Sequence, residues 1–134
     1  MFVDARAIIA VLSDEPEAGR VSDALVCAER RMTSPVAVLE AALGLARADK
    51  FDLSVEAVEP LILEFLDERG IDICDLPPAA QLTHLALWAA HRYRGGRQGL
   101  NLGDCLHYAC AKFHGVPILA TADEFRQTDL ETVP

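Results

Sequence analysis

Basic residues are scarce in this sequence: 12 Lys and Arg stand against 21 Asp and Glu, for a formal charge of −9. A surface of that sign repels phosphate backbones, which argues against a DNA-binding module and against tight nonspecific duplex binding. It leaves room for an enzyme that meets phosphate through a divalent cation or a local basic strip, and it favours a basic protein partner. Two strips exist, Arg92-Tyr93-Arg94-Gly95-Gly96-Arg97 and Arg30-Arg31. Long apolar runs are also missing. Each is broken by a charge before about 18 residues, so no segment is suited to crossing a bilayer. Met1-Phe2-Val3-Asp4 lacks the basic stretch of a secretory leader and reads as structured from its first residues. No CxxC pair links Cys27, Cys74, Cys105 and Cys110. Scattered in a leaderless chain, they are expected to be reduced and mostly buried, and the expected compartment is the cytoplasm. GxGxxG, P-loop and GxSxG motifs are absent, as are repeats, linkers and low-complexity segments. An aspartyl-nucleophile phosphatase would carry a second acid two residues on, and Arg6 fills that place after Asp4.

What is present is a core. Over 134 residues, 51% are apolar, enough for one domain without staples. Residues 2–4 read as a short buried strand ending in Asp, followed by a first helix over Ala5–Leu12. Pro16 marks the first turn of a second helix running to about Glu29. Thr33 or Ser34 with Pro35 starts a third through about Ala48. Ser54 starts a fourth, ending near Gly70. Ile71-Asp72-Ile73-Cys74 alternates like a strand. Pro77-Pro78 opens a helix to about Arg94, and Asn101 caps another from Leu102 to about His114, closed by Gly115. Val116–Ala120 is a buried strand, followed by a turn around Asp123 to Arg126. Short apolar strands alternating with helices predict an α/β layered domain with a mostly parallel sheet.

Ligands of such sheets gather beyond the carboxyl ends of the strands, where Asp4 and Asp123 both fall. Asp4 also suits a helix N-cap. Glu40 is the only charged group in Val36–Ala46, and an ionised carboxylate on so apolar a helix needs a cation or a partner. Asp104 occupies the N3 place of a capping box with Asn101, a role compatible with anion placement at a helix start. Asp123 alone could be a turn residue. Together, these four oxygen donors suit a hard divalent cation, Mg²⁺ or Mn²⁺, which lowers the pKa of water for in-line attack on a phosphodiester. Asp104, His107, Cys110 and His114 lie roughly along one side of a helix and raise a zinc alternative. One straight helix rarely wraps more than two ligands around an ion, and the histidines read better as core or partly buried residues.

Asp4-Ala5-Arg6-Ala7-Ile8-Ile9-Ala10, the helical Glu40, the run Asn101-Leu102-Gly103-Asp104-Cys105-Leu106-His107-Tyr108-Ala109-Cys110-Ala111 and the segment Asp123–Leu130 resemble the VapC toxins, the PIN-domain half of VapBC toxin–antitoxin pairs. The resemblance covers essentially the whole chain. It implies a PIN-like three-layer α/β/α domain, Mg²⁺-dependent endoribonuclease activity on tRNA or rRNA, and inhibition by a VapB-type antitoxin. A homodimer is implied by family habit. By the same pattern Asp4 and Asp104 would bind the metal directly, and Glu40 and Asp123 would complete the cluster. One departure stands out: Arg6 occupies a position where the family usually has a small residue, often Ser. Its guanidinium could pair with the carboxylates, compete with the metal, or grip the scissile phosphate. A second reading from the residues is a catalytically weak PIN-like module that mainly binds an antitoxin.

Overall fold

The computed structural model describes all 134 residues, Met1–Pro134. Five short strands form one parallel sheet: β1 (Phe2–Val3), β2 (Arg31–Thr33), β3 (Ile71–Ile73), β4 (Ile118–Leu119) and β5 (Thr132–Val133), in the order β3-β2-β1-β4-β5. Parallel neighbours demand crossovers, and six helices supply them. These are α1 (Ala5–Leu12), α2 (Ala18–Cys27), α3 (Pro35–Ala46), α4 (Val55–Glu68), α5 (Ala79–Tyr93) and α6 (Leu102–His114). A 3₁₀ turn covers Asp123–Gln127. The result is a three-layer α/β/α architecture, as the resemblance implies.

Burial explains the apolar strands. Phe2 and Val3 on the central strand, and Ile118 and Leu119 beside them, are all but inaccessible. Residues covered on both faces of a sheet lose the alternation that marks a half-solvated strand. Helix boundaries follow their caps. The Ser34 hydroxyl accepts from the Ala37 amide with Pro35 beginning the helix, and Ser54 does the same for Ala57. Gly115 ends α6 at φ 64°, a conformation glycine adopts without strain.

Two strands expected as loop or overlooked are β2 and β5. Arg31-Met32-Thr33 carries too little apolar length to announce a strand, and β5 has only two residues, both half-buried. Each exists because a neighbouring strand presents unpaired backbone groups: the Met32 amide donates to Met1 O at 2.9 Å and the Ala120 amide to Val133 O at 3.0 Å. Helix α2 begins at Ala18, two residues after Pro16. Ile71–Ile73 pairs as expected but does not alternate, because β3 is an edge strand with Asp72 and Ile73 both exposed. The Arg30-Arg31 strip lies away from the Asp4 end of the sheet. Arg31 Nη1 is tied to Leu25 O at 2.8 Å, and Arg30 O accepts from the Met1 amino group at 2.7 Å, at the opposite end of the sheet from Asp4.

Helix α3 packs against α1, α4 and α6 through Ala37, Ala41 and Leu45, which turns Glu40 toward the strand ends. Leu45 is fully occluded. Replacing it with Ala (Leu45→Ala) is expected to cost about 2–5 kcal/mol, read as a lowered urea midpoint at unchanged slope.

Candidate active site

Asp4 is the first residue beyond β1. Its amide donates to Leu119 O at 3.0 Å, and its Oδ2 caps α1 by accepting from the Arg6 amide at 3.1 Å. Thr33 braces the same strand end, its hydroxyl donating to Val3 O at 2.9 Å. Asp104 arrives from the far end of the chain at the start of α6. Its Oδ2 accepts from the Asn101 amide at 2.8 Å while its own amide donates to Asn101 Oδ1 at 2.9 Å, closing the capping box. Asp4 and Asp104 are both buried, at 2% and 4% exposure. Glu40 reaches across from mid-α3 to α6, and its Oε2 lies 2.8 Å from His107 Nε2.

Asp123 stands at the rim of the cleft that Asp104 lines. Its side chain stays on the rim, largely exposed, with Oδ1 accepting from Arg126 Nε at 3.1 Å. The acid this segment turns inward is its neighbour, Glu124, which is buried and stands 3.6 Å from Arg6 Nε. The physical reason is the 3₁₀ turn. Phe125 is fully buried and draws Glu124 in with it, while Asp123 at the turn's outer start pairs three residues on. The turn itself is anchored by Asp129, which accepts from the Tyr108 hydroxyl at 2.7 Å and from Lys112 Nζ at 2.6 Å. Asp104, Asp123 and Glu124 line an open cleft of about 510 Å³ with Arg6, Arg97 and Asn101.

The electrostatics follow from crowding acids where water is thin. Burial, reinforced by the charges of Asp104 and Glu40, pushes the Asp4 carboxyl up to about 6, although His107 and the Arg6 amide oppose the rise. Burial also raises Asp104, with Glu124 and Glu40 adding repulsion. Glu40 moves the other way, held below its ordinary range chiefly by the hydrogen bond to His107. For His107, burial alone would favour the neutral ring. The Glu40 hydrogen bond and the charges of Asp4, Glu40 and Asp104 outweigh it and raise its pKa.

His107 is the residue whose place was least legible. Its position three after Asp104 puts both on one helix face, which is the only signal the sequence carries. The zinc alternative has no geometric support, since His107 faces Glu40 and Cys110 faces Ser34.

The donor set suits a hard divalent ion. Asp4 Oδ1 is buried without a hydrogen-bond partner, as is Glu124 Oε1, and oxygen atoms dominate the site. No three ligating side chains are close enough to chelate an ion unaided.

Residues 1–129 match the PIN domain family. Ribonuclease VapC30 of Mycobacterium tuberculosis is 33% identical over 141 residues, covering 99% of this chain and 98% of the relative. Among solved structures, Mycobacterium tuberculosis VapC20, described as a sarcin-ricin loop cleaving toxin, matches with a TM-score of 0.75 at 14% identity, over 99% of this chain and 98% of that one. VapBC2 from Rickettsia felis, bound to a DNA fragment from their promoter, matches with a TM-score of 0.70 at 14% identity, over 98% and 95%. At those identities the solved structures speak for the fold alone, whereas the sequence relative speaks for the family. An acid-lined cleft at the strand ends of a PIN fold, with near full-length identity to a VapC ribonuclease, makes this chain a member of the PIN-domain VapC family of ribonuclease toxins.

Proposed function

We propose that the chain is an endoribonuclease dependent on Mg²⁺ or Mn²⁺, with tRNA or rRNA as substrate. Asp4 and Asp104 would hold the ion, with Glu40 and Glu124 completing the acidic cluster and Asp123 on the rim of the same cleft. The observation that carries this reading is the buried Asp4 Oδ1, which has no hydrogen-bond partner, only His107 Nε2 at 3.7 Å, and lies in the field of Asp104 and Glu40. Burying ionised carboxylates together is unfavourable unless a cation compensates. When bound, such an ion would supply positive charge against phosphate oxygens and lower the pKa of water.

The chain's own groups account for the rest. Glu40 is kept ionised and half-exposed, so it can accept the proton lost by an attacking water. Attack at phosphorus opposite the leaving ribose oxygen then breaks the P–O bond, and that oxygen takes up a proton from solvent. Arg6 and Arg97, on one wall of the cleft, would grip phosphates flanking the cut. With a net charge of −9, these local contacts matter more than any general attraction for RNA, which favours a selective substrate.

The partner belongs to the same proposal. An apolar groove of about 410 Å³ runs between α3 and α4, lined by Val38, Leu39, Val55, Ile62 and Leu63, with Glu56 and Glu59 on its edge. It suits an amphipathic, basic segment of a VapB-type antitoxin. A homodimer joining such a complex, and work in the cytoplasm, complete the proposal. The alternative of a weakly catalytic antitoxin-binding module has one observation in its favour: the Arg6 guanidinium already pairs with Glu124.

Asp104→Asn or Asp4→Asn should lower Mg²⁺-dependent RNA cleavage at least about 100-fold while the protein stays folded, consistent with losing one preorganised electrostatic contact. Undiminished cleavage by either folded variant defeats the mechanism. In EDTA, Asp4→Asn should be more stable than the parent near pH 7. The folded-state Asp4 pKa of about 6 lies above its ordinary value of 3.8, so this carboxyl's contribution declines as pH rises from about 4 to 6. Asn keeps the cap but carries no charge, and the gain should be on the order of 2 kcal/mol, vanishing below about pH 4. Denaturation curves against pH test this, and a gain that persisted at pH 3 would point to another cause. Arg6→Ser should fold normally and bind Mn²⁺ about threefold more tightly, as expected for removing a largely exposed competing cation. Equal Mn²⁺ titrations would show that Arg6 does not perturb the site.

A further inference from the structure

Glu40 is the one acid of the site that follows neither a strand end nor a helix start. It projects from mid-α3 on a flexible stem, with its side chain 36% exposed. Left alone, such a side chain would wander among rotamers and solvate its charge in the open cleft. Two features of α6 restrain it. The first is His107, whose Nε2 lies 2.8 Å from Glu40 Oε2. The second is Gly103. A Cβ built on that glycine would fall on Glu40 Oε2 and within 3.2 Å of Glu40 Cδ, so the carboxylate rests in space that any other residue would fill.

Gly103 and His107 are four residues apart on one helix, hence on one face. His107 is itself immobile. Its ring is fully occluded and lies against Phe2 of β1 at 5.8 Å between centroids, 31° between planes. Its Nδ1 has no hydrogen-bond partner, so the ring's polar contacts all run through Nε2, to Glu40 and, at 3.7 Å, to Asp4 Oδ1. A buried imidazole with one unpartnered nitrogen carries a desolvation penalty, and an apolar residue of similar volume would pack against Phe2 without it. The carboxylates are what the ring has to offer in return.

We propose that Gly103 and His107 form a cradle that positions Glu40 toward the metal-binding carboxylates, with His107 donating Nε2–H to Glu40 Oε2. His107 is thus a positioning residue: its hydrogen bond is to Glu40, its contact with Asp4 Oδ1 is longer at 3.7 Å, and it touches neither substrate nor ion. This inference rests on the divalent-cation reading given above. The arrangement follows the general use of outer hydrogen bonds to orient metal-site carboxylates.

The test uses Mn²⁺ binding, followed by electron paramagnetic resonance of the free ion, beside steady-state cleavage of an RNA substrate. His107→Leu should weaken Mn²⁺ about tenfold and lower kcat by a similar factor, with KM changed less than about twofold, in the range seen on losing an outer-sphere partner. His107→Gln, whose amide nitrogen can stand near the former Nε2, should recover most of that loss. In a Glu40→Gln background, His107→Leu should add no further effect. Gly103→Ala keeps the ring but puts a methyl group where the carboxylate lies, and should reproduce the loss even if His107→Leu does not fold. Unchanged Mn²⁺ affinity and kcat in folded His107→Leu or Gly103→Ala overturns the cradle. So does tighter Mn²⁺ binding in His107→Leu, which would make the ring a competing charge, or a loss that persists undiminished in the Glu40→Gln background. Wild-type protein that neither binds Mn²⁺ nor cleaves RNA sinks the cation reading and this inference together. A competent wild type with indifferent His107 and Gly103 variants sinks the inference alone.

Discussion

Burial of carboxyls away from water, with their mutual repulsion added to it, is the constraint around which this molecule is arranged. Asp4 and Asp104 are almost wholly removed from water, and Glu40 and Glu124 stand close enough to raise the electrostatic cost further. Left to solvation, these groups would separate. The fold overrides that tendency by giving each a backbone obligation. Asp4 caps α1, Asp104 closes a capping box on α6, and Glu124 is carried inward by the burial of Phe125. Structural hydrogen bonds thus hold these carboxyls in a place where charge is unfavourable.

The same constraint explains the company the acids keep. His107 and Arg6 approach the cluster from opposite sides, one fully buried below it and one half-exposed at its mouth. Burial decides how different they are. The occluded imidazole is rigid and engages Glu40 at hydrogen-bond distance, whereas the Arg6 guanidinium meets Glu124 at 3.6 Å through solvent-screened space. An exposed cation of that kind can be displaced by a phosphate or an ion. A buried ring wedged against Phe2 cannot move aside, so it shapes the site permanently.

Much of this could be read from residues alone. The caps at Ser34, Ser54 and Asn101 and the stop at Gly115 are local chemistry, and the helices they bound fall within a residue or two of expectation. The central strands were legible as apolar runs. Strands β2 and β5 were not, because two or three residues carry no period and depend on the groups a neighbouring strand leaves unpaired. Asp4, Glu40 and Asp104 stood out because a charge in apolar sequence demands a reason. The choice between Asp123 and Glu124 did not, since adjacent acids in a turn differ only in which one the core pulls inward.

The sequence by itself determined the capped helices, the parallel α/β class and the presence of acids at strand and helix ends, because these depend on neighbours within about four residues. Only the tertiary structure decided that Glu124 turns in while Asp123 stays out. Tertiary packing alone also set His107 of α6 beneath Glu40 of α3 and left Gly103 making room for that carboxylate. Those outcomes depend on how two helices pack face to face and bring together Glu40 and His107, 67 residues apart along the chain, and no local pattern encodes that distance.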